Sequence, residues 1–230
     1  MNDYPLVVPN DTNIASYFPY VLSQDADDQL RWTTMLGQNG SHLSAPWWVN
    51  DTDLNAVGST GTGMTLLPVR QQYLHSGGII YRTTNGKLAS KIRDSDMDVN
   101  ADAAWTKGSL STDIPEDSPI AAFTVGRPYN SDDQVNTYIL YQDALGTVQV
   151  VWQDDDSGWK GPETYDAISN AEKGTDITCL TQAAWDARRV TVSKEQDMNQ
   201  CFFQEKGTRR LKEVWFNGTD WNHVGYVPLD

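Results

Sequence analysis

The stretch that decides the fold is Tyr138-Ile-Leu-Tyr-Gln-Asp-Ala-Leu-Gly-Thr-Val-Gln-Val150, followed by Ser157-Gly158-Trp159. Two runs rich in β-branched and aromatic residues flank Asp143–Gly146, a cluster of turn formers, so the stretch reads as a β-hairpin. The same order of apolar strand, polar turn, second strand and closing tryptophan recurs three more times. It runs from Tyr20 through Trp32 to Trp47-Trp48, from Ile79 through Ser90 to Trp105, and from Cys201 through Glu213 to Trp221. Gln24, Arg82, Gln142 and Gln204 hold one equivalent position, separated by 58, 60 and 62 residues. From each of these to its tryptophan (Trp47, Trp105, Trp159, Trp221) is 23, 23, 17 and 17 residues. A steady period with variable turns is the behaviour of stacked repeats.

Working outward, a unit near 60 residues holds four short strands, the content of one propeller blade. The sequence predicts an all-β, single-domain β-propeller of four to five four-stranded blades over residues 1–230. Approximate repeats are 14–60, 61–117, 118–170 and 171–230, with residues 4–9 as a ring-closing strand whose two prolines place it at a sheet edge. Helical periodicity is confined to two candidate single turns, Asp53–Gly58 and Gln182–Arg189.

Composition narrows the function. The 31 acidic residues against 17 basic ones give a formal charge of -14, which disfavours nucleic acid and anionic membrane surfaces as partners. No apolar run approaches the ~20 residues that span a bilayer. Sequons at Asn10, Asn39, Asn50 and Asn217, each in a turn-like context, suggest a secretory-pathway glycoprotein. Met1-Asn2-Asp3 carries no charged or apolar leader region, so a signal peptide is expected to be missing from this sequence. Cys179 and Cys201 both stand in strand-like contexts, where neighbouring strands would align them for a disulfide; two buried free thiols are the alternative.

Classical catalytic patterns are absent. His42, His75 and His223 are isolated, without ligand spacing. Asp94-x-Asp96-x-Asp98-x-Asn100-x-Asp102 opens like a calcium loop, yet Val99 stands at the glycine position and Trp105 at the closing glutamate. No metal or other cofactor is expected.

The strings Ile139-Leu-Tyr-Gln-Asp-Ala-x-Gly-x-Val-Gln149 and Phe202-Phe-Gln-Glu-x-Gly207, with Leu211-Lys-Glu-x-x-Phe-Asn-Gly-x-x-Trp221, resemble the fungal fucose-specific lectin family. The resemblance implies a β-propeller that binds sugar between blades through an Arg and a Glu, with aromatics covering the apolar sugar face. Carried over by position, the Arg slot falls at Tyr20, Gly78, Tyr138 and Gln200, and the Glu slot at Trp32, Ser90, Val150 and Glu213. Only Glu213 keeps the pattern. A drier cleft of this kind favours an apolar small molecule, because buried sugar hydroxyls left unpaired cost about 1–3 kcal/mol each.

The resemblance also implies, by fold-level analogy, a hetero-Diels–Alder type cyclisation in fungal natural-product biosynthesis. Such a step needs positioning and hydrogen-bond polarisation, with no metal or nucleophile, and hydrolysis is not expected. For it, Arg70, Tyr73 and His75 are the candidate catalytic residues, and Arg82, Tyr138 and Trp152 the candidate ligand-binding ones. The alternative is a carbohydrate-binding lectin of altered specificity, with its ligand at Gln200, Glu213 and Trp215. Either way the expected partner is a small molecule, an apolar polycycle or a sugar, and the sequence is compatible with a homodimer completing the pocket.

Overall fold

A computed structural model describes residues 8–10, 12–17, 20–36, 47–51, 54–71, 76–94, 105–128, 134–186 and 189–228. Among these, all regular structure is β. Sheet 1 comprises β1 (Ile14–Tyr17), β2 (Tyr20–Gln24), β3 (Leu30–Leu36) and β4 (Trp47–Asp51), antiparallel in chain order. Sheet 2 holds β5 (Met64–Leu67), β6 (Gly77–Arg82) and β7 (Lys87–Arg93). Its outer edge is split between β8 (Thr106–Lys107) and β9 (Thr112–Asp113), both paired to β7. Sheet 3 holds β10 (Ile120–Gly126), β11 (Val135–Gln142), β12 (Val148–Gln153) and β13 (Lys160–Glu163). Sheet 4 begins with β14 (Ile177–Cys179), and a separate hairpin, β15 (Ala183–Asp186) and β16 (Arg189–Val192), follows it. The sheet then continues through β17 (Gln200–Gln204), β18 (Leu211–Phe216) and β19 (Trp221–Val227).

The repeat position has a structural meaning. Gln24, Arg82, Gln142 and Gln204 each end the second strand of their sheet. Gln142, almost fully buried, donates from Nε2 to the Gly146 carbonyl of its own turn (3.1 Å) and to the Glu172 carbonyl (2.8 Å). Its Oε1 accepts from Gly174 N–H (2.8 Å). Gln24 bonds the Asp28 carboxylate and the Ser59 carbonyl, and Gln204 the Thr208 carbonyl. At Gln24 and Gln142 one amide thus ties a hairpin turn to the link beyond it. The adjacent aspartate closes the turn: Asp143 Oδ1 accepts from Leu145 and Thr147 N–H, as Asp25 Oδ1 does from Asp27 and Gln29 N–H. The turn also needs a left-handed residue, supplied by Gly146 (φ 85°) and by Asp28 (φ 60°), a residue type that tolerates that region. Gln142→Ala would remove the donor to the buried Gly146 carbonyl, the acceptor of Gly174 N–H, and one of the two donors to the Glu172 carbonyl, which also accepts from Thr175 N–H at 3.1 Å. It is expected to lower stability by about 1–3 kcal/mol, read as a urea midpoint. Gln204→Ala, which loses one bond, should cost less; an unchanged midpoint for Gln142→Ala would contradict this role.

The sheets pack face to face in series. Tyr20, Leu22 and Trp32 of sheet 1 meet Ile79, Tyr81 and Ala89 of sheet 2. Ile80 and Leu88 on the other face of sheet 2 meet Ile139, Tyr141 and Val151 of sheet 3. Tyr138, Leu140 and Val150 of sheet 3 meet Phe203, Val214 and Phe216 of sheet 4. Because side chains alternate across a strand, a sheet covered on both faces needs an unbroken apolar run. That is why β11 is buried at nearly every position. In β17 and β18, by contrast, buried and half-buried positions alternate. Among the described residues no apolar cluster joins sheet 4 to sheet 1. The first strands β1, β5, β10 and β14 line one cavity of about 480 Å³.

Three local expectations need correction. Gln182–Arg189 is not helical: it forms most of the β15–β16 hairpin. That hairpin is held by long-range bonds, Val192 N–H to the Gln71 carbonyl and Gly126 N–H to the Ser193 carbonyl. Residues 54–58 of the other predicted turn form no helix: Asn55 is left-handed (φ 41°), and Val57 and Gly58 make isolated β-bridges to Gln29 and Thr83. Leu30 N–H bonds the Ala56 carbonyl and Gly58 N–H the Asp28 carbonyl, so the backbone is engaged by sheet 1 instead of by a helix. Asn50 lies within β4, paired with Thr33, and not in a turn. Cys179 and Cys201 are cross-strand partners joined by a disulfide. Asn39 and residues 4–7 lie outside the described residues; Asn10 and Asn217 are exposed.

Candidate functional site

In sheets 1–3 the two positions matching the lectin clamp lie on the face turned toward the next sheet, and in sheet 4 they lie on the face turned away from sheet 3. In sheet 1, Leu22 pairs with Trp32 and Tyr20 with Thr34, which puts Tyr20 and Trp32 on one face. Their rings pack 4.4 Å apart, and both are sealed in the sheet 1–sheet 2 core. In sheet 2, Gly78 and Ser90 are similarly enclosed, and a Cβ on Gly78 would come within 2.8 Å of Val69. In sheet 3, Tyr138 stacks on Phe123 with centroids 4.9 Å apart, and Val150 is buried beside it. Burial pushes the Tyr20 and Tyr138 hydroxyls up to about 12, away from the ionised form. These three places are packed interior.

Sheet 4 differs because its corresponding face is open. Gln200 pairs with Trp215, and Phe202 with Glu213, so all four side chains share that face. Each is half-buried. The indole of Trp215 is fixed by donation from Nε1 to the Gln196 carbonyl at 2.5 Å. The result is a carboxylate acceptor, an amide that can donate and accept, and two aromatic rings, presented together on a rigid sheet. That donor set suits a polyol with one apolar face.

The other predicted residues are dispersed. Arg70 is engaged by Asp94, with Nε 2.8 Å from Oδ1. Tyr73, His75, His42 and Asp96–Asp102 lie outside the described residues. Arg82 occupies the repeat position of the glutamines, and its Nε–H donates to the Ile114 carbonyl at 3.3 Å. Trp152 pairs across the strand with Tyr138 in sheet 3 and is half-buried. Tyr138 and Trp152 are thus neighbours, whereas Arg70 and Arg82 are engaged elsewhere, by Asp94 and the Ile114 carbonyl. His223 is exposed and packs edge-on against Tyr226. Sequence reading missed a third feature, a lysine-lined groove on sheet 2; its local signal was Lys87 and Lys91 on one strand face.

No protein-family model matches the chain, and no curated protein sequence matches it. Solved structures do. AofleA from Arthrobotrys oligospora superposes with a TM-score of 0.67 at 18% identity, covering 96% of this chain and 58% of that one. A variant of the Aleuria aurantia lectin in complex with α-methyl-L-fucoside gives 0.66 at 15%, covering 97% and 64%. The SapL1 lectin in complex with α-methyl fucoside gives 0.66 at 18%, covering 95% and 63%. The chain therefore spans about three-fifths of the length of the structures it matches. At these identities the likeness establishes the fold: over nearly all its length, this chain is folded as these lectins are.

Proposed function

We propose that the chain is a carbohydrate-binding protein of β-propeller type whose ligand surface is the open face of sheet 4, at Gln200, Phe202, Glu213 and Trp215. One observation carries the reading: of the four places where the lectin clamp could sit, three are sealed core and the fourth keeps an accessible carboxylate beside a fixed indole. Glu213 accepts hydroxyl hydrogens from a neutral saccharide, Gln200 replaces the arginine as donor, and Trp215 covers the apolar sugar face. The fold shared with fucoside-bound lectins supports it, and the disulfide fits an oxidising, secretory setting. A cyclisation role would draw on Arg70, which Asp94 already engages, so saccharide binding stands first.

The test is a glycan array followed by titration of the best hit and of α-methyl-L-fucoside, read by tryptophan fluorescence. Glu213→Gln removes a charged acceptor and should weaken binding roughly 10- to 100-fold; Trp215→Ala should abolish it. Wild-type affinity in Glu213→Gln would overturn the proposal.

A further inference from the structure

The strongest feature outside that face is a groove of about 460 Å³ on sheet 2, running along β7 from Lys87 to Lys91. Lys91 and Lys107 are direct cross-strand partners, and Lys87 and Lys91 are four residues apart on β7. All three ammonium-bearing chains therefore share one face. Among the described residues no aspartate or glutamate lines the groove, in a chain with 31 acids and 17 basic residues. Like charges placed directly opposite in a sheet repel. Lys91 is held by the Leu54 and Asn55 carbonyls at 3.1 and 3.0 Å, and Lys87 by the largely exposed Asp113 at its rim. Lys107 has no partner among the described residues and is exposed. The floor on the lysine face is apolar, from Tyr81 and Ala89, and Ser109 and Ser111 add hydroxyls at the wall.

A volume in this range, an apolar floor and cations on one face are the ingredients of a small-ligand site. We propose that this groove is a second, independent binding site for a small anionic saccharide, its carboxylate or sulfate held between Lys91 and Lys107 and its ring laid on the Tyr81–Ala89 floor. The anion offsets the cross-strand repulsion, and the serines bond ring hydroxyls.

The experiment is calorimetric titration of the full chain with D-glucuronate, glucose 6-sulfate, D-glucose and inorganic sulfate. Binding of one or both anionic sugars is expected, and which one binds identifies the anion. Glucose should not bind at this groove, and inorganic sulfate should bind more weakly than the sugars. Lys107→Gln, at an exposed position, should weaken the anionic sugars about tenfold and Lys107→Glu should abolish them. Raising salt from about 0.05 to 0.5 M should also weaken them. Glu213→Gln should leave this binding unchanged. No response to either anionic sugar, an affinity unaltered by Lys107→Glu, or sulfate binding as tightly as both sugars would overturn the proposal. Because neutral-sugar binding is scored through Glu213, failure here and failure of the sheet 4 reading are separate results.

Discussion

Replacing Cys179 and Cys201 together by serine is expected to destabilise the chain by about 3 kcal/mol, the chain-entropy contribution of a loop of this size. The bond joins β14 to β17 across a separation of 22 residues, and the loop so closed contains the β15–β16 hairpin. Cys201 is fully buried between sheets 3 and 4, so the bond also fixes the base of the last sheet to its core. For a domain of this length, a loss of that size corresponds to roughly 6–12 °C in Tm. Differential scanning calorimetry of the double serine variant, with and without reductant, reads it; the wild type in reductant should approach the variant. An unchanged Tm, or two reactive thiols titrating in unreduced, denatured wild type, would contradict the assignment.

Trp32→Ala should have an effect at least as large, about 3–5 kcal/mol, because it opens a cavity where sheets 1 and 2 meet. The indole is 1% exposed, packs against Tyr20 at 4.4 Å and Trp105 at 4.9 Å, and lies over Gly77. A Cβ at Gly77 would come within 2.6 Å of the indole edge, so Gly77→Ala should also destabilise. Combining the two substitutions should cost less than their sum, since the methyl group then enters space the indole has left. Trp32→Phe should be much milder, as the indole N–H it removes has no acceptor among the described residues. Chemical denaturation of the four variants measures the cycle. Strict additivity would show that Gly77 and Trp32 do not share this contact.

These positions also show where sequence reasoning reached. The all-β class and the recurring hairpin were legible because their determinants are local: β-branched and aromatic runs along Tyr138–Val150, and a Gln-Asp-Ala turn closed by its own aspartate. The disulfide was legible because both cysteines stand in strands that could pair. The Gln182–Arg189 segment misled because a short apolar run fits helix and strand alike. Its hairpin is decided by Gln71 and Gly126, far away in sequence. The candidate site was half legible. Position alone pointed to Gln200, Glu213 and Trp215, but whether such a position is cleft or core depends on what the next sheet places against it. Tyr20 and Tyr138 are covered in that way, whereas Gln200 is not. Lys107 faces Lys91 only through strand pairing across 16 residues, which no local pattern announces.

The open face of sheet 4 is tested most directly by measuring glycan binding for the wild type, Glu213→Gln, Trp215→Ala and Lys107→Gln side by side. A neutral glycan should bind the wild type and Lys107→Gln equally, bind Glu213→Gln roughly 10- to 100-fold more weakly, and fail to bind Trp215→Ala. No neutral-glycan binding by the wild type, or binding that survives both sheet 4 substitutions, would contradict the account.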